Sequence, residues 1–350
     1  MMFKSQTLTR SSNIELLRLI AMLMVLIVHA NGLANGFPNV NEIKLFPLNS
    51  ISRVLTQSYS IVAVNIFVLI SGWFGIKLTV KGIMNIVYQC AFFSLLAIII
   101  CGLINHESIT PIALYKEIFG FDGYWFVSAY LGLMILSPVL NSFTESSSQN
   151  NQLKVLTLFF LFQTYFLLDV YDDAHFHNGY SCISFVGLYL LARYVRKFRP
   201  KFSSLTPIKD MAIYIIACGS MGGVIILTSL TSSDSLLNIV RSIMLSYNNP
   251  VSIIAALFLL LAFTKVNIGV NKIINWMAKS SFSIYLVHVN LLVLPYYKTY
   301  MQHLYVEYDG IKYLVAILLS ISAISICSIL IDQLRISSWN IICKLKMNSK

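Results

Sequence analysis

The sequence predicts an all-α fold: a polytopic membrane helix bundle of about ten transmembrane helices with both termini cytoplasmic. Three observations carry this. Of 350 residues, 57% are hydrophobic and only 11% charged, against about 25% charged in an ordinary soluble domain. Apolar stretches near the ~20 residues that a helix needs to span a bilayer recur ten times, at 14–33, 57–75, 83–104, 124–141, 152–170, 180–198, 211–229, 250–264, 280–297 and 312–332. The charge is also lopsided. With the N-terminus inside, 18 of the 25 basic residues fall in cytoplasmic segments and 6 (Lys44, Arg53, Lys116, Arg241, Lys298 and Lys312) in outer ones, leaving Arg18 in the membrane. This is the positive-inside pattern for an even number of spans, and it accounts for the net charge of +11 without nucleic acid.

The first apolar segment, "NIELLRLIAMLMVLIVHANG" at 13–32, is long enough to span yet carries Glu15, Arg18 and His29. It is expected to stay in the protein, because a signal-peptide core of ~7–15 residues does not hold a glutamate and an arginine. The second span contains Asn65 and Ser71, and the fourth opens with Trp125 at its outer end. The sixth runs into "RYVRKFRPK" at 193–201, a cytoplasmic topology anchor or a surface that also attracts anionic lipid or a polyanionic cofactor. Between the seventh and eighth, Leu236, Leu237, Val240, Ile243 and Met244 sit at helical spacing. They read either as an amphipathic helix lying on the outer surface or as an ordered loop with some buried residues. The ninth span holds Tyr285 and His288 about one turn apart. The six cysteines are scattered without a CxxC pair and read as small apolar packing residues.

These boundaries give a cytoplasmic tail at 1–13, a single membrane domain at 14–332 and a cytoplasmic tail at 333–350. The longest connection is near ~20 residues, shorter than the ~50 of a small domain, so any chemistry takes place inside the bundle. No internal repeat and no pair of Gly/Pro-broken spans marks an inverted-repeat transporter.

Arg18 and His29 are eleven positions apart, so on an α-helix they differ by about 20° in azimuth and about 16.5 Å in height. Glu15, three residues before Arg18, shares that surface and can pair with the guanidinium. Snorkelling of the ion pair and a hydrogen-bonded core histidine is one account of this stripe. A functional site is the other, favoured by the cost of about 2.5–3.5 kcal/mol for a charge deep in a span. Arginine suits phosphate and a neutral imidazole suits proton abstraction from a hydroxyl. Together they fit a donor with phosphates at the cytoplasmic end and a reactive group reaching the histidine, such as a coenzyme A thioester.

"ELLRLIAMLMVLIVH" resembles the first-helix signature of the integral membrane acyltransferase 3 family: an acidic residue three before an arginine, then ten residues and a histidine. "VNIFVLISGW" at 64–73 is similar to the family's second-helix pattern ending in Ser-Gly. "WFVSAYLGLMILSP" at 125–138 has its tryptophan-to-proline spacing, and "SSFSIYLVH" at 280–288 its serine-rich start, Tyr-Leu and histidine. The resemblance runs from about residue 13 to 332, and the local style is similar to stand-alone members that modify bacterial capsule and exopolysaccharide.

The resemblance implies a bacterial cytoplasmic (inner) membrane enzyme that moves an acyl group, most often acetyl from acetyl-CoA, to a hydroxyl of a carbohydrate or its lipid-linked precursor. His29 is then the catalytic histidine and Arg18, supported by Glu15, a donor-site residue. Acetyl-CoA is a co-substrate, with no tightly bound cofactor and no metal expected. Two departures stand out: Asn65 where many members have aspartate, and Tyr130 and Leu131 where they have glutamates. Charge-dependent acceptor binding therefore does not carry over.

Asn65, Ser71, Trp125, Tyr285 and His288 are possible site-lining residues, each with a structural alternative: helix–helix glue for the polar pair, an interfacial belt for Trp125 and core packing for the last two. "DVYDDAHFHNG" at 169–179 gathers Asp172, Asp173, His175 and His177, which reads as a solvated loop, since no further ligand spacing completes a metal site. An acyl-histidine intermediate is open beside direct transfer. The rival function is a transporter or flippase for a lipid-linked saccharide.

Overall fold

A computed structural model of the protein describes residues 11–105, 110, 115, 124–167, 175–231 and 233–348. Lys4, Arg10, Glu107, Lys116, Glu117, Asp122, Asp169, Asp172, Asp173 and Lys350, which enter the charge and loop readings, lie outside the described residues. Among those described, every regular element is a helix. In chain order they are α1 (Ser12–Val28), extended by a π-helical turn at His29–Ala34, α2 (Val40–Leu45), α3 (Pro47–Ser60), α4 (Ala63–Phe74), α5 (Val80–Asn105), α6 (Trp125–Ser146), α7 (Gln149–Phe166), α8 (Cys182–Phe198), α9 (Pro207–Thr231), α10 (Asp234–Met244), α11 (Pro250–Lys265), α12 (Lys272–Lys279), α13 (Ser281–His288), α14 (Leu294–Glu307) and α15 (Gly310–Asn348).

Among the described residues, six segments are long and apolar enough to cross a membrane: Ser12–Ala34, Pro47–Phe74, Val80–Leu103, Trp125–Ser146, Pro207–Thr231 and Gly310–Lys344. This is the build of an all-α, multi-pass membrane protein. The second starts ten residues before the expected 57–75, because α3 and α4 follow one another across a two-residue turn. Arg53, read from sequence as an outer-loop residue, is consequently a helical residue and only 2% exposed. The expected spans at 152–170, 180–198 and 250–264 are the shorter helices α7, α8 and α11.

The expected continuous span at 280–297 is corrected to two helices, α13 and α14, separated at residues 289–293. Polar side chains replace the helical hydrogen bonds lost there, as a bilayer requires. His288 Nδ1 meets the Ile284 carbonyl at 2.6 Å and the Tyr124 hydroxyl donates to the Leu286 carbonyl at 3.1 Å. Asn290 donates to Tyr124 and accepts from the Leu292 backbone N–H, and Pro295 opens α14, where its missing N–H costs nothing.

Packing is densest along Pro47–Phe74, whose apolar window is 72% buried, against 28% in Trp125–Ser146 and Pro207–Thr231. On the outlying helices Ile216, Leu227 and Leu319 stay exposed, as side chains meeting lipid do. Close approach of α4 to α8 requires Gly72: a Cβ there would lie 2.5 Å from the Tyr189 carbonyl oxygen. The stretch between the seventh and eighth expected spans is helical as α10. It buries Leu237 against Val40, Ile43, Val54 and Ile225 and leaves Leu236 and Ile239 exposed. α15 continues unbroken past residue 332 to Asn348, with Arg335 making a two-pronged pair with Asp332 at 2.8 Å.

Candidate active site

α1, α4, α5, α6, α13 and the loop before α11 enclose a cavity of about 250 Å³. Arg18 and His29 both line it, as their shared azimuth predicts. At His29 the backbone leaves α-helical for π-helical winding, a local change often found at functional sites. The π turn is tied to α3 by its own Asn31, whose side-chain amide donates to Thr56 Oγ1 at 3.0 Å.

At one end, Arg18 Nη1 donates to Glu15 Oε2 at 2.6 Å. Glu15 is buried and is not part of the cavity wall; it lowers the cost of holding a guanidinium here. The Arg18 side chain keeps 27% exposure, so the guanidinium has further donors to offer a ligand. Farther along, Ser71 Oγ lies 3.1 Å from the Tyr130 hydroxyl and donates to the Phe67 carbonyl. At the other end Trp125 stacks on Tyr247 with ring centroids 6.1 Å apart, and Tyr180 packs against both at 4.4 and 4.9 Å. Burial, then the neighbouring Tyr180, pushes the Tyr247 phenol well above its ordinary range, so it presents a neutral hydroxyl and an aromatic face.

Of the residues singled out from sequence, Arg18, His29, Ser71, Trp125 and Tyr285 form the wall. Two expectations are corrected. Asn65 does not line the cavity; its amide donates to the Tyr247 carbonyl at 3.0 Å, so it supports a wall residue from behind. His288 also stands behind the wall, with Nε2 2.8 Å from His29 Nδ1. Phe126, Tyr130, Tyr247 and Phe282 add further aromatic rings to the wall without having been selected as site residues. Phe126 and Tyr130 are one helical turn apart on α6 and stack at 5.7 Å, so their own i,i+4 spacing was an available signal. Tyr247 sits in a loop, where no periodicity points to it.

The basic stretch 193–201 ties helix ends together. Arg196 donates to the Trp73 carbonyl at the end of α4, and Lys197 to the Thr144 and Glu145 carbonyls at the end of α6. Cations are favoured at such C-termini. Among the described residues no group of three or more His, Cys, Asp and Glu gathers as metal ligands.

The Acyl_transf_3 family model, described as an acyltransferase domain, matches residues 11–332. The chain belongs to the acyltransferase 3 family. The match includes every residue of the cavity wall and makes the protein a multi-pass membrane acyltransferase. No curated protein and no solved structure matches the chain.

Proposed function

We propose that this acyltransferase moves an acetyl group from acetyl-CoA to a hydroxyl of a cell-surface or exported polysaccharide, or of its lipid-linked precursor, in the cytoplasmic (inner) membrane of a bacterium. The observation that carries the reading is that Arg18, His29 and the Trp125–Tyr247 pair line one cavity. A cation, a base and an aromatic platform are the three features that a phosphate-bearing donor and a sugar acceptor need.

The cavity is smaller than the ~300–1,000 Å³ of sites that bury a whole drug-sized ligand. It suits the thioester end of the donor, with the nucleotide outside on the Arg18 side. The acceptor sugar lies against Trp125 and Tyr247, presenting its hydroxyl to His29. His29 takes the hydroxyl proton as the oxygen attacks the thioester carbonyl. The new C–O bond forms, the C–S bond breaks, and the imidazolium returns the proton to the departing sulfur. Acyl ester and free thiol are the products, so protons and electrons balance.

The test is mass spectrometry of surface glycans from a host with the protein present, absent, or carrying His29→Ala. An acetyl increment that requires His29, with acetyl-CoA consumed by the purified protein, is the expected result. Saccharide movement without consumption of acyl-CoA overturns this reading in favour of a transporter.

A further inference from the structure

We infer that His288 is a positioning residue: its hydrogen bond to His29 selects the tautomer in which His29 Nε2 is the unprotonated, base-competent nitrogen. The inference rests on the reading of His29 as the base.

A carbonyl oxygen only accepts, so the 2.6 Å contact between His288 Nδ1 and the Ile284 carbonyl puts a hydrogen on Nδ1. Among the described residues no carboxylate pairs with either imidazole, and His288 is only 1% exposed. A buried imidazolium with no counter-charge is strongly disfavoured, so the resting pair is neutral. His288, already protonated at Nδ1, therefore offers a bare Nε2. The 2.8 Å contact is then His29 Nδ1–H donating to His288 Nε2, which leaves His29 Nε2 without its proton. His29 lines the cavity, and Nε2 is the ring nitrogen left to serve it.

The His288 end of this relay is set by backbone. The Ile284 carbonyl belongs to the last turn of α13, and the helix ends at His288 itself. The Ile284 carbonyl therefore orients His288 at the point where α13 ends. When His29 becomes charged in the reaction, its Nδ1–H still points at a lone pair, so no proton has to move along the chain. His288 does this without a carboxylate, which suits a site enclosed by lipid-facing helices.

The test compares His288→Gln and His288→Phe in the full-length protein in lipid nanodiscs. Glutamine offers a carbonyl oxygen to accept from His29 Nδ1–H and an amide to donate; phenylalanine keeps ring volume and offers neither. His288→Phe is expected to lose roughly 10²–10⁴-fold in kcat, the scale of a misoriented general base, with KM for acetyl-CoA within about twofold. His288→Gln is expected to recover kcat to within about tenfold of the parent.

Nitrogen-15 NMR of labelled histidine in the unmutated protein is expected to show His29 protonated at Nδ1 and bare at Nε2. Because that spectrum needs no turnover, it tests the tautomer even if acetyl transfer proves to be the wrong reaction. A His29 protonated at Nε2 overturns the inference, as does full activity of His288→Phe or an equal loss in both variants. If His288→Phe does not fold, the spectrum of the parent and the kcat of His288→Gln decide.

Discussion

Two arginines near the start of the chain sit in opposite surroundings. Arg53 is 2% exposed and its two terminal nitrogens are committed: Nη1 to Glu42 Oε1 at 2.9 Å and Nη2 to the Gly36 carbonyl, with the guanidinium 4.3 Å from the Tyr305 ring centroid. Glu42 in turn accepts from the Tyr305 hydroxyl. Arg18 pairs with Glu15 and faces the cavity. A buried arginine bonded in this way holds elements together, here α2, α3 and α14. One that lines a cavity with donors to spare is available to a ligand. The same residue type is structural or functional according to what the fold leaves unpaired.

Four substitutions test the division between cavity-facing and structural side chains. The largest effect belongs to the cavity side: His29→Ala should lower kcat by roughly 10²–10⁴-fold, while the thermal midpoint of the purified protein stays near that of the parent. Next, Arg53→Ala strands Glu42 in a partly buried site, and removing one partner of a buried pair costs about 3–5 kcal/mol. It should appear as a marked drop in thermal midpoint, with the specific activity of the folded fraction retained. If Arg53→Ala instead abolished turnover in a stable protein, the division between the two arginines would fail.

Arg18→Ala should be intermediate. A charge-assisted hydrogen bond is worth about 1.5–3 kcal/mol, so kcat/KM for acetyl-CoA should fall roughly 10–100-fold, and the thermal midpoint should also drop because the buried Glu15 loses this guanidinium. Unchanged donor kinetics would remove Arg18 from the donor site. The smallest effect is expected for Trp125→Ala, which should raise KM for the acceptor by roughly 2–10-fold, the size of an aromatic contact, and leave KM for acetyl-CoA alone. A purely interfacial Trp125 would change neither constant.

Much of this was legible in the residues. Apolar length and the side preference of lysine and arginine announce the spans, because a bilayer tolerates few other patterns. The eleven-residue interval between Arg18 and His29 announces a shared face, because α1 is regular as far as Val28. Ser71 followed by Gly72 marks a place where a hydroxyl meets Tyr130 while a neighbouring helix comes too close for a side chain. Hydropathy could not show the break after His288, since the apolar run continues through it and only Asn290 and Pro295 hint at an interruption.

By itself, then, the amino-acid order determined that this is a bundle of apolar helices, that Arg18 and His29 lie on one stripe, and which family the motifs resemble. These are local or compositional properties, governed by helical periodicity and by transfer of side chains into lipid. Only the tertiary structure decided that His29 pairs with His288, 259 positions away in the chain. It also decided that Asn65 supports the Tyr247 backbone rather than facing the cavity, and that Arg53 is spent on Glu42 while Arg18 is not. Those outcomes depend on which buried donor finds which acceptor across helices, a matching that low dielectric makes compulsory and that no spacing along one helix can specify.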